Sequence, residues 1–188
     1  MRSSKSCALS VVVFACASVL HATVLVPAEF REVVNGSDLI AYGRVASVTA
    51  LRIDGQTRID SLVTFEVGSW LKGGGESSIT FRTLGGELGR YRSVVVGAPT
   101  FTPGDEAVMF LKSAGQPVPT VFGLNQGVFR VRRDPDTGER MVVPPPLLAA
   151  SNEPQTLRRG DRTRKPVPLD TFGAQVRSVM AEPRGAAR

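Results

Sequence analysis

Between residues 38 and 143 the sequence is a series of short apolar segments separated by glycine and proline. The most regular of them is Ser61–Leu71, in which Val63, Phe65 and Val67 alternate with polar residues. Short alternating segments with turn residues between them are typical of antiparallel barrels and sandwiches. Strands do not alternate with long helices here, as they would in a doubly wound nucleotide-binding fold. We therefore predict a mainly β chain.

The first of these strands, Asp38–Val48, is apolar at successive positions, so we expect it to be buried on both faces. In Ser61–Leu71, strict alternation puts Trp70 on the face opposite Val63 and Phe65. We expect this tryptophan to pack in the core or at an edge of the sheet. The further predicted strands are Ile79–Arg82, Tyr91–Val96, Ala107–Lys112, Val118–Phe122 and Gly127–Arg132, with an edge strand at Met141–Val143.

One short helix is predicted before the strands and one after them. The first covers Ala28–Asn35, with Glu29 and Glu32 near the end that attracts negative charge. The second covers Leu169–Met180, with Asp170 as its N-cap. One apolar face of the second helix, which we expect to pack against the strands, consists of Phe172, Val176, Val179 and Met180.

The N-terminus has the features of a secretory signal peptide. Arg2 and Lys5 supply the positive start, an apolar run follows, and small residues at His21-Ala22-Thr23 provide a cleavage site. We expect residues 1–22 to be removed and the product to be exported, to the periplasm or the extracellular medium. The rest of the chain then divides into a barrel domain at 23–148, a basic and polar linker at 149–168, and a helix with its tail at 169–188.

The exported product would contain neither cysteine nor histidine, because Cys7, Cys16 and His21 all lie in the predicted signal peptide. Without them no Ser-His-Asp triad, no Cys-His pair, no zinc site of the usual ligands and no disulfide can form. We therefore predict no metal, no cofactor and no enzymatic activity. A hydrolase based on carboxylates stays open only if two acids converge in one pocket. The adjacent Asp105 and Glu106 are instead expected at a turn.

Arginine is the other conspicuous residue type. Arg82, Arg130 and Arg132 are predicted to point outward from the sheet, where they could form a basic face. The run Arg158–Lys165 is expected to be part of a solvated linker. Few aromatic residues occur among these arginines, and a stacking platform for single-stranded nucleic acid needs them, so we expect no nucleic-acid partner.

Four segments occur in a recognisable order: Ser37–Val45, Val63–Gly73, Ile79–Arg82 and Gly104–Leu111. In sequence and spacing they resemble the strands of the netrin-like domain of the tissue inhibitors of metalloproteinases. The resemblance covers residues 35–123, about half of the chain. It implies an OB-type antiparallel barrel of five strands.

In those inhibitors the new N-terminus enters the protease cleft, where its amine and first carbonyl bind the catalytic zinc. The resemblance implies that the counterpart here is Thr23-Val24-Leu25-Val26-Pro27. The inhibitors clamp this segment through cysteines at its first and third positions, where this chain has Thr23 and Leu25. Ordering an unclamped segment costs about 1–2 kcal/mol per residue. The fold therefore carries over better than the inhibitory mechanism.

Together these observations predict an exported, non-enzymatic protein-binding module that inhibits or assists a secreted protease. The alternative prediction is an OB-like barrel that binds an oligosaccharide or an anionic polymer through Arg82, Arg130 and Arg132. The first prediction depends on the N-terminal segment and the second on the arginine face.

Overall fold

The predicted mainly β fold is confirmed. The structure, a computed structural model, describes residues 28–53, 58–145 and 165–182. The signal peptide, the segment 23–27, the basic run at 158–164 and the tail after 182 lie outside these residues. The helices are α1 (Phe30–Gly36) and α2 (Leu169–Ala181), and the strands are β1 (Leu39–Arg52), β2 (Ile59–Lys72), β3 (Ser78–Leu84), β4 (Gly86–Leu88), β5 (Tyr91–Ser93), β6 (Glu106–Lys112), β7 (Thr120–Val121), β8 (Val128–Arg133), β9 (Arg140–Val143) and β10 (Val167–Pro168).

Five of the strands close into a barrel, as expected for an OB-like fold. Their order is β1-β2-β3-β7-β6, and β6 pairs again with β1 to complete the ring. The link between β3 and β7 is a single parallel pairing of Arg82 with Thr120, whereas the other pairings are antiparallel. From β6 the sheet extends through β8 and β9 to β10. The pair β4–β5 forms a separate antiparallel hairpin.

Strand β6 divides the apolar core into two clusters, because both of its faces are buried. Its inward residues Met109 and Leu111 pack inside the barrel with Phe65 and Phe81. Its outward residues join a second cluster beneath the two helices. The aromatic rings of that outer cluster, with centroids 5.0–6.3 Å apart, belong to Phe30, Phe110, Phe129 and Phe172.

Both predicted helices are present, with differences at their ends. Helix α1 begins at Phe30 because Glu29 and Glu32 form a capping box, each side chain accepting a backbone N–H of the other. In α2 the predicted N-cap was wrong: Pro168 occupies that position and Asp170 lies in the first turn. The predicted apolar face of α2 is confirmed by burial of Phe172 and Val176.

Several strand predictions need correction. Strand β1 is buried on both faces only in its first half, since most residues after Val45 are exposed. The predicted strand Val118–Phe122 contracts to the two residues of β7. The predicted edge strand becomes β9, which is not an edge because Val167 and Pro168 pair with it. Of the predicted strand Tyr91–Val96, only the first three residues are extended and paired.

Trp70 lies on the opposite face from the one that alternation predicted. Tyr42 pairs with Ser69 and Gly43 with Val67, which leaves Gly68 as an extra residue in β2. Such a β-bulge reverses which residues face inward beyond it. The indole consequently packs against the barrel core, and its Nε1 donates to the Glu76 carbonyl at 2.9 Å. The expectation that Trp70 packs in the core or at its edge is confirmed.

Candidate functional site

One segment, residues 85–101, stands out from the barrel because its middle is solvent-exposed and apolar. It begins with the hairpin β4–β5 and continues through a turn to Phe101. Among the described residues, the large apolar side chains with the greatest exposure are Val96 at 93%, Val94 at 71%, Tyr91 at 52%, Leu88 at 39% and Val48 at 36%. All but Val48 belong to this segment. We call Leu88, Tyr91, Val94 and Val96 the apolar patch.

Contacts at both ends hold this segment on the barrel. At the start, Ser61 Oγ donates to the Gly85 carbonyl at 2.8 Å. Gly86 lies so close that a Cβ there would be 2.7 Å from the same Oγ. At the far end the Phe101 ring packs edge-on against Phe81 of the barrel core, with centroids 5.4 Å apart. The guanidinium carbon of Arg130 lies over the Phe101 ring, 5.3 Å from its centroid.

The exposure of Val96 follows from a tight turn. The Ala98 N–H donates to the Val95 carbonyl at 3.1 Å, which makes Val96 and Gly97 the two central residues. Gly97 has a φ of +84°, the left-handed value that the second central position of a type II turn requires. The first central position is the outer corner of such a turn. The side chain of Val96 is therefore directed away from the barrel.

A groove of about 510 Å³ runs beside this segment. Val48 and Ala50 of β1 form one side and Ser61 and Thr83 line its base. The opposite side comes from the segment itself: Val94, Val95, Ala98, Pro99 and Phe101. Polar side chains line the groove as well, namely Glu87, Arg92, Ser93 and Thr100. Val94 belongs both to this lining and to the apolar patch.

The charged groups of this region are arranged around Tyr91. The guanidinium carbons of Arg90 and Arg52 lie 5.2 and 5.7 Å from the centroid of its ring. Arg90 Nη2 also donates to the Tyr91 hydroxyl at 3.0 Å. The carboxylate of Glu87 is already paired with Arg92, with 3.0 Å between Nε and Oε1.

The residues of the predicted arginine face have separate partners. Arg130 Nη1 lies 2.5 Å from Asp105 Oδ2, and its Nη2 donates to the Thr100 carbonyl. Arg82 lies in β3, where its Nε is 3.9 Å from the buried carboxylate of Asp60. Arg132, two residues from Arg130 on the same face of β8, is exposed. The structure therefore brings Arg130 and Arg132 together and places Arg82 at a different carboxylate. The predicted binding segment Thr23–Pro27 lies outside the described residues.

A second groove, of about 400 Å³, lies along β8 and contains the acids that sequence assigned to a turn. Asp105 bonds to Arg130, whereas Glu106 Oε2 accepts from the Tyr42 hydroxyl at 2.8 Å and pairs with Arg140 at 3.5 Å. Burial, and then the hydrogen bond to Glu106, raise the pKa of Tyr42. Each acid thus has its own partners, and the two do not share one.

Two features of the described residues bear on other kinds of function. Within 28–53, 58–145 and 165–182, no group of three or more histidine, cysteine or acidic side chains is placed to hold a metal ion. The helices of the same ranges are too short or too polar to span a bilayer. Comparison with known proteins adds no identity, since no family model, no curated protein and no solved structure matches this chain.

The apolar patch was missed by sequence reasoning because three consecutive valines resemble a buried strand. The signal that could have revealed it is the sequence after them, Gly97-Ala98-Pro99. Glycine and proline at this spacing favour a turn rather than a continuing strand. A turn that starts at Val95 leaves too short a strand to bury all three side chains.

Proposed function

We propose that this chain is an exported, non-enzymatic protein-binding module that holds its partner at the apolar patch and the adjacent groove. The observation that carries the proposal is the exposure of Val94 and Val96, at 71% and 93%. Large apolar side chains exposed together in one segment mark a candidate protein interaction site. The surrounding contacts, at Gly85 and at Phe101, fix the ends of the segment so that little ordering is needed on binding.

The resemblance to the netrin-like domain supports the same class of function. A closed five-stranded barrel agrees with that resemblance in architecture. We propose a secreted protease as the partner, with the segment Thr23–Pro27 as a second contact after removal of residues 1–22. The non-enzymatic part of the proposal is supported by Asp105 and Glu106, whose carboxylates have different partners.

Site-specific photo-crosslinking tests the proposal. A photoreactive amino acid is placed at Val96 of the exported full chain, and at Thr137, an exposed turn residue, as the control. We expect a product of defined mass from position 96 alone. Excess unlabelled wild-type protein should abolish this product, and the variant Val94→Ser/Val96→Ser should not. Equal products from positions 96 and 137, or competition by both proteins, would contradict the proposal.

The competing variant is informative only if it is folded. Both valines are largely exposed, so replacing them changes the free energy of unfolding by about 0.5 kcal/mol or less. Urea denaturation of the variant should therefore overlay that of the wild type. A loss of competition can then be assigned to the surface.

A second candidate function is binding of an anionic oligosaccharide or polymer in the groove along β8. It is favoured by Arg132 and Arg133, which are exposed at that groove. Polygalacturonate and dextran sulfate are suitable probes. This function predicts retention that weakens with salt and disappears in Arg132→Gln/Arg133→Gln. Unchanged retention of that variant would exclude it.

A further inference from the structure

We infer that the partner segment held at the apolar patch combines apolar with acidic side chains, and that Arg52 and Arg90 select the acids. This inference rests on the proposed function and specifies the chemistry of its partner. The two arginines belong to different elements, the end of β1 and the turn between β4 and β5. They converge on one exposed ring, that of Tyr91, at 5.7 and 5.2 Å.

The charge around the apolar patch is not balanced by the described residues. Arg52 and Arg90 are both exposed, and neither forms an ion pair with a carboxylate in the part of the chain that the structure describes. The nearby Glu87 is neutralised by Arg92 at 3.0 Å. Among the described residues, the rim of the patch therefore carries an excess of two positive charges. A partner that supplies carboxylates there would complement this charge.

The geometry also favours a folded or extended protein segment over a polyanion. Tyr91 orients both guanidinium groups by cation–π contact, and Arg90 by a hydrogen bond to the phenol oxygen as well. Leu88, which pairs with Tyr91 across the hairpin, is an exposed apolar side chain beside this ring, and the same segment exposes Val94 and Val96. These apolar side chains offer nothing to a uniformly charged polymer. An apolar centre with charged groups at its rim is the usual arrangement of protein interfaces.

Selection from a display library of random peptides tests this inference. The full exported chain, the variant Arg52→Gln/Arg90→Gln and the patch variant Val94→Ser/Val96→Ser are the targets. A matched control, Lys112→Gln/Arg177→Gln, loses two charges at other exposed positions. We expect the wild type and the control to enrich peptides that contain both apolar residues and aspartate or glutamate. The arginine variant should still enrich apolar peptides but without the acids.

The outcomes separate this inference from the proposed function. Wild-type selection of apolar peptides without acids, or retention of the acids by Arg52→Gln/Arg90→Gln, would overturn the inference and leave the proposed function in place. If Val94→Ser/Val96→Ser enriched the same peptides as the wild type, the proposed function would fail, and the inference with it.

Affinity measurements make the expectation quantitative. A selected peptide carrying a fluorescent label is compared with its twin in which aspartate and glutamate are replaced by asparagine and glutamine. Because exposed ion pairs are weak, we expect the neutral twin to bind about threefold to tenfold more weakly at low salt. At high salt the two affinities should converge. Equal affinities at low salt would show that the arginines do not recognise acids.

Discussion

Asp60 provides the sharpest test of whether Arg82 has a structural role and not a binding role. Its carboxylate has no solvent exposure although it lies at the start of β2. Arg58 Nη2 donates to its Oδ2 at 3.2 Å, and Arg58 Nε lies 3.0 Å from its Oδ1 without the alignment of a hydrogen bond. Arg82 Nε is 3.9 Å from Oδ2. If this arrangement is correct, Arg82 stabilises a buried charge and is not a free binding group.

The expected magnitudes follow from the distances and exposures. Two unit charges 3.9 Å apart attract by about 4 kcal/mol at an effective dielectric constant of about 20. Desolvation of the charges opposes part of this attraction, and Arg58 still pairs with Asp60 when Arg82 is replaced. We therefore expect Arg82→Gln to lower the free energy of unfolding by about 1–3 kcal/mol. Removing one partner of a buried pair costs about 3–5 kcal/mol. We expect about 2–4 kcal/mol for Asp60→Asn, because Arg82 and Arg58 retain 30% and 41% exposure and can be hydrated.

A double-mutant cycle in urea denaturation measures the coupling. After Asp60→Asn the carboxylate is gone, so adding Arg82→Gln should cost little further stability. The loss in the double variant should therefore be smaller than the sum of the two single losses by about 1 kcal/mol or more. Each loss of about 2 kcal/mol in the free energy of unfolding should lower the Tm by about 4–8 °C. Arg132→Gln, at an exposed position, is the control and should change little. A cost below about 0.5 kcal/mol for Arg82→Gln, or strict additivity, would refute the reasoning.

Two further predictions concern β1 and α2. A Cβ at Gly43 would lie 2.0 Å from the Glu66 carbonyl oxygen, so Gly43→Ala should destabilise the protein by about 3 kcal/mol. A Cβ at Gly173 would have its nearest neighbour 3.4 Å away, so Gly173→Ala should stabilise the helix by about 0.5–1 kcal/mol. Equal effects in thermal denaturation would contradict this. The pKa of Tyr42 is raised in the folded state, so its contribution to the free energy of unfolding should be fully present below a pH of about 10. That contribution should be lost as pH rises through the folded-state pKa. Absorbance titration should show a late tyrosinate component that Tyr42→Phe removes; its persistence in that variant would assign it elsewhere.

Local patterns predicted the secondary structure well wherever one local rule decided the conformation. Val63 and Phe65 alternate and are both buried in the barrel. The apolar run in β6 indicated a strand, and its continuous burial follows from the two clusters on its faces. The apolar face of α2 was predicted from spacing alone. In these cases the side-chain period and the buried surface agree, so no distant information was needed.

What depended on distant contacts was not predictable. The extra residue at Gly68 reverses the direction of Trp70, and its presence depends on pairing with β1. Closure of the barrel relies on β7, for which the pattern predicted the longer strand Val118–Phe122. That only Thr120 and Val121 pair depends on their partners in β3 and β6. The partners of Arg82 and Arg130, Asp60 and Asp105, come from other strands and loops. Sequence could show that these arginines were outward-facing, and it could not show which carboxylate each would meet.

These contacts bear directly on the choice between the two proposed functions. Arg82 and Arg130 already serve the fold, so the anionic function retains Arg132 and its neighbour Arg133 at the second groove. The side chain of Val96 contributes nothing comparable to the fold, since it is 93% exposed at the corner of a turn whose ends are fixed. Replacing Arg82 and replacing Val96 should therefore have opposite effects on stability and on binding. Arg82→Gln should lower stability, whereas Val94→Ser/Val96→Ser should lower binding and leave stability unchanged. If instead Arg82→Gln lowered binding and the valine variant lowered stability, binding would be assigned to the arginines and not to the apolar patch.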